Sequence, residues 1–144
     1  MSSPLLSRFA LASTLAVVAA GASACDGGGT ITPTTPTAPT TTITETFAGS
    51  ITANGAASFT FPTGASGLVT ATLRTITPVS TIQLSLALGT WNGITCQVVL
   101  TNDRATSGGS ITGSASGAGS LCVRIADIGQ VTGTAGFEVV VVHP

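Results

Sequence analysis

The chain has 144 residues, of which only 6% are charged and none is lysine, and its formal net charge is −1. This length leaves room for one domain of about 100 residues once a targeting segment is removed. Without the first 24 residues, three arginines oppose five carboxylates, a net charge of −2. That balance argues against nucleic acid as a partner, because its binding relies on lysine and arginine to neutralise phosphates.

The amino terminus has the pattern of a signal peptide. A short polar start ends at Arg8, and residues 9–20, "FALASTLAVVAA", form a twelve-residue apolar run. This run is well short of the roughly 20 residues that a membrane-spanning helix needs. We therefore assign residues 1–24 to a signal peptide.

Cys25 follows the small residues "ASA". This stretch resembles the lipobox of bacterial lipoproteins, in which the cysteine is diacylated and becomes the first residue. The resemblance implies that Cys25 is the lipid attachment site and that the domain is held outside the cytoplasm in a bacterial cell envelope. Asp26 resembles a membrane-retention signal whose effect depends on the organism. The alternative is ordinary cleavage after Ala24, which would release a soluble secreted protein.

Residues 25–44 are predicted to be a stalk. Three glycines follow Cys25 and Asp26, and Thr30–Thr42, "TITPTTPTAPTTT", contains three prolines separated by threonine or alanine. Such a composition favours extended polyproline II backbone and offers no apolar surface to bury. The segment is therefore expected to be a disordered spacer between the lipid and the domain.

Residues 45–144 alternate apolar and polar positions, the period of half-buried antiparallel strands. Turn-forming sequences such as "ANGAA", "TWNG" and "TNDRATSGG" separate the alternating runs at the spacing expected of a sandwich or barrel. With "ETFAGSI" and a weak, glycine-rich strand near Ile111, the pattern predicts an all-β, antiparallel β-sandwich of about eight strands. The positions predicted to face inward are Phe59, Phe61, Val69, Ala71, Leu73, Ile82, Leu84, Leu86, Leu88, Ile94, Val98, Leu100, Leu121, Val123, Ile125, Phe137, Val139 and Val141.

Three stretches carry a resemblance to a known family: "ETFAGSI…ASFTF", "GLVTATL" with "LGTWNG", and "GSLCVRIADIGQVTGTAGFEVVVVHP". In these the domain resembles the bacterial pre-peptidase C-terminal domain and the small envelope lipoproteins that carry one copy of it. The resemblance implies a jelly-roll-like sandwich and a non-catalytic accessory role. The final stretch "FEVVVV" is expected inside a sheet beside an N-terminal strand, because an open edge of this composition would aggregate.

Two cysteines remain once Cys25 is assigned to the anchor. We predict a disulfide between Cys96 and Cys122, because a signal peptide directs the domain to an oxidising compartment. Their parity is in conflict, since Cys96 shares the parity of the inward Ile94 and Val98 whereas Cys122 shares the parity of the outward Arg124. A bulge or a position at a strand end would remove the conflict. Two separate buried thiols are the alternative.

Few residues suggest a ligand. Trp91 and Asn92 are the candidate binding platform, because an exposed indole can stack on a sugar or a partner; the alternative is that Trp91 caps the core. Asp127 precedes a glycine corner, where an aspartate accepts hydrogen bonds from nearby backbone N–H groups. The alternative is a weak calcium site formed by Asp127 and Asp103. No other metal and no cofactor is predicted.

Catalysis is not expected. His143 is the single histidine and is placed on a frayed chain end, where a Ser-His-Asp arrangement lacks support. The carboxylates Glu45, Asp103, Asp127 and Glu138 are spread over different predicted elements, and no two of them have a spacing that suggests a general acid and base. Arg124 is interpreted as structural, paired with Glu138 across a sheet.

The sequence therefore predicts a lipid-anchored, non-catalytic β-sandwich that acts as an accessory or interaction domain. Its expected partners are the membrane, through the lipid anchor, and an envelope protein or glycan. Two alternatives stay open: a self-associating surface-layer, fibre or matrix subunit, and a glycan-binding module that uses Trp91.

Overall fold

The computed structural model describes residues 41–144. The predicted signal peptide, Cys25 and the stalk up to residue 40 lie outside these residues. The described part is built from strands, and no helix long and apolar enough to cross a membrane occurs in it. The strands are β1 (Ile43–Thr52), β2 (Ala56–Thr63), β3 (Gly67–Thr77), β4 (Leu84–Trp91), β5 (Cys96–Ala105), β6 (Ser110–Ala115), β7 (Gly119–Asp127) and β8 (Thr134–His143). The first strand thus begins at Ile43, inside the segment that composition assigned to the stalk.

The eight strands form two antiparallel four-stranded sheets. Sheet A has the order β1-β8-β3-β6, and sheet B has the order β2-β7-β4-β5. The strand pairs are nested as in one long hairpin, in which the first strand pairs with the last: β1–β8, β2–β7, β3–β6 and β4–β5. Nested pairing of this kind, split between two packed sheets, is the arrangement of a jelly roll. The predicted eight-stranded antiparallel sandwich is confirmed.

The core lies between the sheets and follows the predicted alternation in most strands. From Val69 to Leu73 in β3 and throughout β8 every second residue is buried, and the intervening residues are largely polar or exposed. Fully burying a Val, Leu, Ile or Phe side chain contributes about 1.5–3 kcal/mol. The predicted inward positions that belong to this core or pack on it are Phe59, Phe61, Val69, Ala71, Leu73, Ile82, Leu84, Leu86, Leu88, Leu121, Val123, Ile125, Phe137, Val139 and Val141.

Strand β8 lies inside sheet A, between β1 and β3. Its backbone pairs with Ile43–Thr52 on one side and with Thr70–Thr77 on the other. The valine-rich run is therefore not an open edge, which confirms its predicted position beside an N-terminal strand.

Strand β5 differs from the prediction. Ile94 precedes the strand and is 83% exposed, while Val98 and Leu100 are 43% and 40% exposed. The first half of "TNDRATSGG", expected to be a turn, continues the strand to Ala105. The physical reason is that β5 is the edge strand of sheet B and has two irregularities in its pairing to β4. Each irregularity changes which residues face the core, and no further strand covers the free edge of β5.

The predicted pair of Arg124 with Glu138 is also wrong. Arg124 lies on β7 of sheet B and Glu138 on β8 of sheet A, so the two residues are in different layers. Glu138 instead forms an exposed ion pair with Arg74 on the neighbouring strand β3, at 3.7 Å. Surface pairs of this kind contribute less than about 1 kcal/mol.

Candidate functional site

A disulfide joins Cys96, the first residue of β5, to Cys122 in the middle of β7. The prediction of this bond is confirmed. In β5, Leu100 pairs with Leu88 but Val98 pairs with Gly89, so Val99 is an extra residue. This bulge turns Val98 and Cys96 to the face opposite Leu100. That face is the outer face of sheet B, the side away from sheet A, where Cys122 lies.

Gly89 makes the disulfide sterically possible. Strands β5 and β7 are separated by β4, and such strands lie roughly 9.6 Å apart in a flat sheet. The Cα atoms of the two cysteines are nevertheless only 5.7 Å apart. A Cβ atom at Gly89 would overlap the carbonyl oxygen of Gln97, so the start of β5 folds over β4 at the one position without a side chain.

Most of the residues that were predicted from the sequence to bind a ligand or to form the disulfide lie on the outer face of sheet B. Because direct partners in an antiparallel ladder share a face, Arg124 is in one row with Ser58, Ala87 and Thr101. The next row contains Thr60, Cys122 and Gly89.

Trp91 ends β4 and pairs with Cys96, which places it on the same outer face. Its side chain is half-buried, and Trp91 belongs neither to the core nor to the residues that pack against it. Asn92 has a local role, since its Oδ1 accepts hydrogen bonds from the backbone N–H groups of Ile94 and Thr95 at 2.9 and 2.8 Å. A platform role for Trp91 stays a prediction, and Asn92 supports the turn beside it.

Asp127 stabilises two turns at once. Its Oδ1 accepts from the N–H groups of Gly129, Gln130 and Val131, and its Oδ2 accepts from that of Asn54 at 2.8 Å. These donors, the Asn54 N–H most strongly, hold the pKa of the Asp127 carboxyl below its usual 3.8. The carboxylate therefore ties the β1–β2 turn to the β7–β8 loop, as the predicted turn role requires.

The two weak calcium candidates have different partners. Asp103 accepts a hydrogen bond from the Ser85 hydroxyl at 2.6 Å on the outer face of sheet B, whereas Asp127 is occupied by backbone donors at the end of β7. Within residues 41–144 no group of three or more histidine, cysteine, aspartate or glutamate side chains is placed to hold a metal.

His143 is not on a frayed end. Its side chain is completely buried, its Nε2 lies 3.2 Å from Oε1 of Glu45, and its ring lies 5.0 Å from that of Phe61. Pairing of β8 with β1 as far as Ile43 holds the backbone in place. The expectation failed because alternation alone does not show that β8 is paired with β1 as far as His143.

Arg124 is the candidate binding residue that was not identified from the sequence. Among the seven charged side chains of residues 41–144, five have an ion-pair or hydrogen-bond partner. The guanidinium groups of Arg104 and Arg124 have none in this part of the chain, and of the two only Arg124 is partly buried. Its outward parity was visible in the alternation, but the sheet order that separates it from Glu138 was not.

No protein-family model matches the chain, and no curated protein matches it.

Proposed function

We propose that the protein is a lipid-anchored, non-catalytic binding domain of a bacterial cell envelope. The lipobox-like cysteine Cys25 and the Thr/Pro spacer after it support the anchor, and the resemblance to pre-peptidase C-terminal domains supports an accessory role. In this proposal the lipid chains bury methylene groups in the membrane at about 0.8 kcal/mol each, and the sandwich is presented outside the cytoplasm.

The observation that supports a binding role most directly is the composition of the outer face of sheet B. It combines a guanidinium without a protein partner in residues 41–144, a half-buried indole and several exposed hydroxyls. Most other charged groups have structural roles, as in the bonds of Asp127 to backbone N–H groups and of His143 to Glu45. This face is the part of the domain that offers recognition chemistry.

The anchor is tested with a Cys25→Ala variant. Wild-type protein expressed in a bacterial host should fractionate with membranes and incorporate a fatty-acid analogue, and the variant should do neither. Continued labelling of the variant would refute lipidation at Cys25.

The binding role is tested by capture from solubilised envelope with the full-length protein. An Arg124→Gln/Trp91→Ala double variant should retain less material, and the matched control Arg74→Gln, which removes a positive charge from sheet A, should retain as much as the wild type. Equal retention by all three proteins would exclude the outer face of sheet B as the binding surface.

A second function, self-association as a surface component, is favoured by strand β5. This edge strand exposes Val98, Val99 and Leu100, with Val99 69% exposed, and exposed apolar edges promote pairing between chains. Val99 and Leu100 also line an apolar cavity of about 140 Å³ that opens between the sheets. Analytical ultracentrifugation at micromolar concentrations should then show oligomers that Val99→Lys dissociates and Ala118→Lys, in an exposed loop, does not. A monomer at all concentrations would exclude this function.

A further inference from the structure

We infer that Arg124 is the anion-binding centre of a glycan site on the outer face of sheet B, and that its ligand is a polysaccharide in which carboxylated and neutral sugars alternate. The inference rests on the proposed binding function and names the class of ligand for it.

The position of Arg124 makes its lack of a partner significant. It lies on β7, an inner strand of sheet B, between Ser58 on β2 and Ala87 on β4. Charged side chains that are removed from water are paired, and Arg124 is partly removed from it. Within residues 41–144, however, no carboxylate forms an ion pair with this guanidinium. A carboxylate brought by a ligand would supply the missing partner.

A guanidinium is well suited to a carboxylate. Its planar N–H groups match the two carboxylate oxygens in a bidentate geometry, and such charge-assisted bonds are roughly twice as strong as neutral ones. The neighbouring hydroxyls of Ser58, Thr60 and Thr101 are exposed and can exchange hydrogen bonds with sugar hydroxyls.

The distance between Trp91 and Arg124 sets the minimum length of the ligand. It is four residues along β4 from Ala87, the direct neighbour of Arg124, which corresponds to about 14 Å at the rise of a β-strand. A ligand that reaches both side chains is therefore extended, and the indole offers an apolar surface on which a sugar ring can stack. Between them the start of β5 and the Cys96–Cys122 disulfide cross over Gly89, so the ligand would pass over the disulfide on its way from Arg124 to Trp91.

The charges on this face define the direction in which the ligand runs. Asp103 lies at the opposite end of β4, hydrogen-bonded to Ser85, so a ligand that extends from Arg124 toward Trp91 leads away from the negative charge. Arg124 is the one partly buried cation in residues 41–144 that has no ion-pair partner there, and one such cation fits sparse carboxylates separated by neutral sugars better than a continuous polyanion.

A peptide fits this surface less well. Extended peptides are usually bound by adding a strand to an open sheet edge, whereas the backbones of β7 and β4 are paired on both sides. Recognition here must therefore come from side chains, and hydroxyls with an indole are the groups that suit a sugar chain.

The test measures binding of the full-length protein, in detergent, to hyaluronan, in which a carboxylated and a neutral sugar alternate. Carboxyl-reduced hyaluronan is the matched ligand without charge, and poly-glutamate is the acidic peptide. Hyaluronan should be bound, and carboxyl-reduced hyaluronan should be bound at least about tenfold more weakly, as expected when a hydrogen bond to a charged group is lost. Poly-glutamate keeps the carboxylates but has no sugar ring to stack on Trp91, so it should also be bound more weakly.

Four variants localise the effect. Arg124→Gln should weaken hyaluronan binding about tenfold or more, and Arg124→Lys by less, because it keeps the charge but loses the bidentate geometry. Trp91→Ala should weaken the binding of both forms of hyaluronan. Arg74→Gln should have no effect, and thermal unfolding checks that each variant is folded.

Three results would overturn the inference. Equal losses for Arg124→Gln and Arg74→Gln would show general charge attraction, and equal binding of poly-glutamate would show an acidic-peptide site. Absence of hyaluronan binding would also refute the inference, yet the proposed binding function would fail only if capture from solubilised envelope were insensitive to Arg124→Gln/Trp91→Ala as well.

Discussion

Cys96 and Cys122 are covalently joined although their strands, β5 and β7, are separated by β4 in sheet B. The bond crosses over Gly89 and ties the edge strand to an inner strand on the outer face of the sheet. It therefore anchors a strand that has only one buried residue, and it does so beside Trp91 and two residues along β7 from Arg124.

Removal of the disulfide should destabilise the domain substantially. The two cysteines are separated by 26 positions in the sequence, and constraining a loop of this length in the unfolded chain contributes about 3.5 kcal/mol in the chain-entropy model. A Cys96→Ala/Cys122→Ala variant should lose about this much unfolding free energy in urea titrations. Mass spectrometry of the wild type without reductant should show two hydrogens fewer than the reduced chain. An equal stability of variant and wild type would contradict this account.

Gly89→Ala should destabilise the domain more than the addition of one methyl group would at an open position. Its Cβ would overlap the carbonyl oxygen of Gln97 and lie 2.7 Å from the carbonyl carbon, and these are backbone atoms that cannot rotate away. Overpacking of this kind costs typically 1–3 kcal/mol, and the displaced start of β5 should leave part of the protein with free thiols. Thermal unfolding and thiol alkylation measure both effects.

The matched control for Gly89→Ala is Gly117→Ala, because a Cβ at Gly117 has no heavy atom within 4 Å. This variant should unfold at nearly the wild-type temperature and contain no free Cys96 or Cys122 thiol. If Gly89→Ala behaved in the same way, the close approach of β5 to β4 would be refuted.

The sequence predicted the inward face of stretches that alternate without interruption. In β3, Val69, Ala71 and Leu73 all point inward as expected, because a regular ladder keeps the period of two. In β5 the period breaks at Val99, and alternation cannot show an extra residue in one strand of a pair. The one sign of this extra residue in the sequence was that Cys96 and Cys122 were predicted to face opposite sides of the sheet.

Contacts between strands that are distant in the chain could not be predicted from the sequence, for a different reason. The partner of Glu138 depends on whether β3 or β7 lies beside β8, and local periodicity contains no information on sheet order. The absence of an ion-pair partner for Arg124 within residues 41–144 and the burial of His143 both follow from that order. Asp127 was predictable because its donors Gly129, Gln130 and Val131 are near in the chain, whereas its bond to Asn54 was not.

His143→Ala should destabilise the sandwich by about 2 to 3 kcal/mol, the upper part of the usual range for a single substitution. The change removes a fully buried ring from its contact with Phe61 and leaves Glu45 without its partner at 3.2 Å. Val142→Ala is the control, because Val142 is 36% exposed and should lose at most about 0.5 kcal/mol. Urea titration of both variants makes the comparison, and equal losses would argue against the buried contact.

Asp127 should make stability depend on pH in the acid range. Four backbone N–H groups bind its carboxylate, which lowers the pKa of Asp127 in the folded protein below the 3.8 of the free group. A group with a lowered folded pKa stabilises the fold above its unfolded pKa. That contribution should be complete at neutral pH, decline as the pH falls through 3.8, and be lost below the folded pKa.

Asp127→Asn should remove this contribution, because an amide has one acceptor oxygen where the carboxylate has two. The variant should be less stable than the wild type at pH 7, and the difference should shrink as the pH falls below 3.8. Asp103→Asn is the control, since Asp103 accepts from the Ser85 hydroxyl rather than from backbone donors. Urea unfolding at several pH values between about 2 and 7 tests the prediction, and a difference that stayed constant over this range would show that the carboxylate's charge is not what stabilises the two turns.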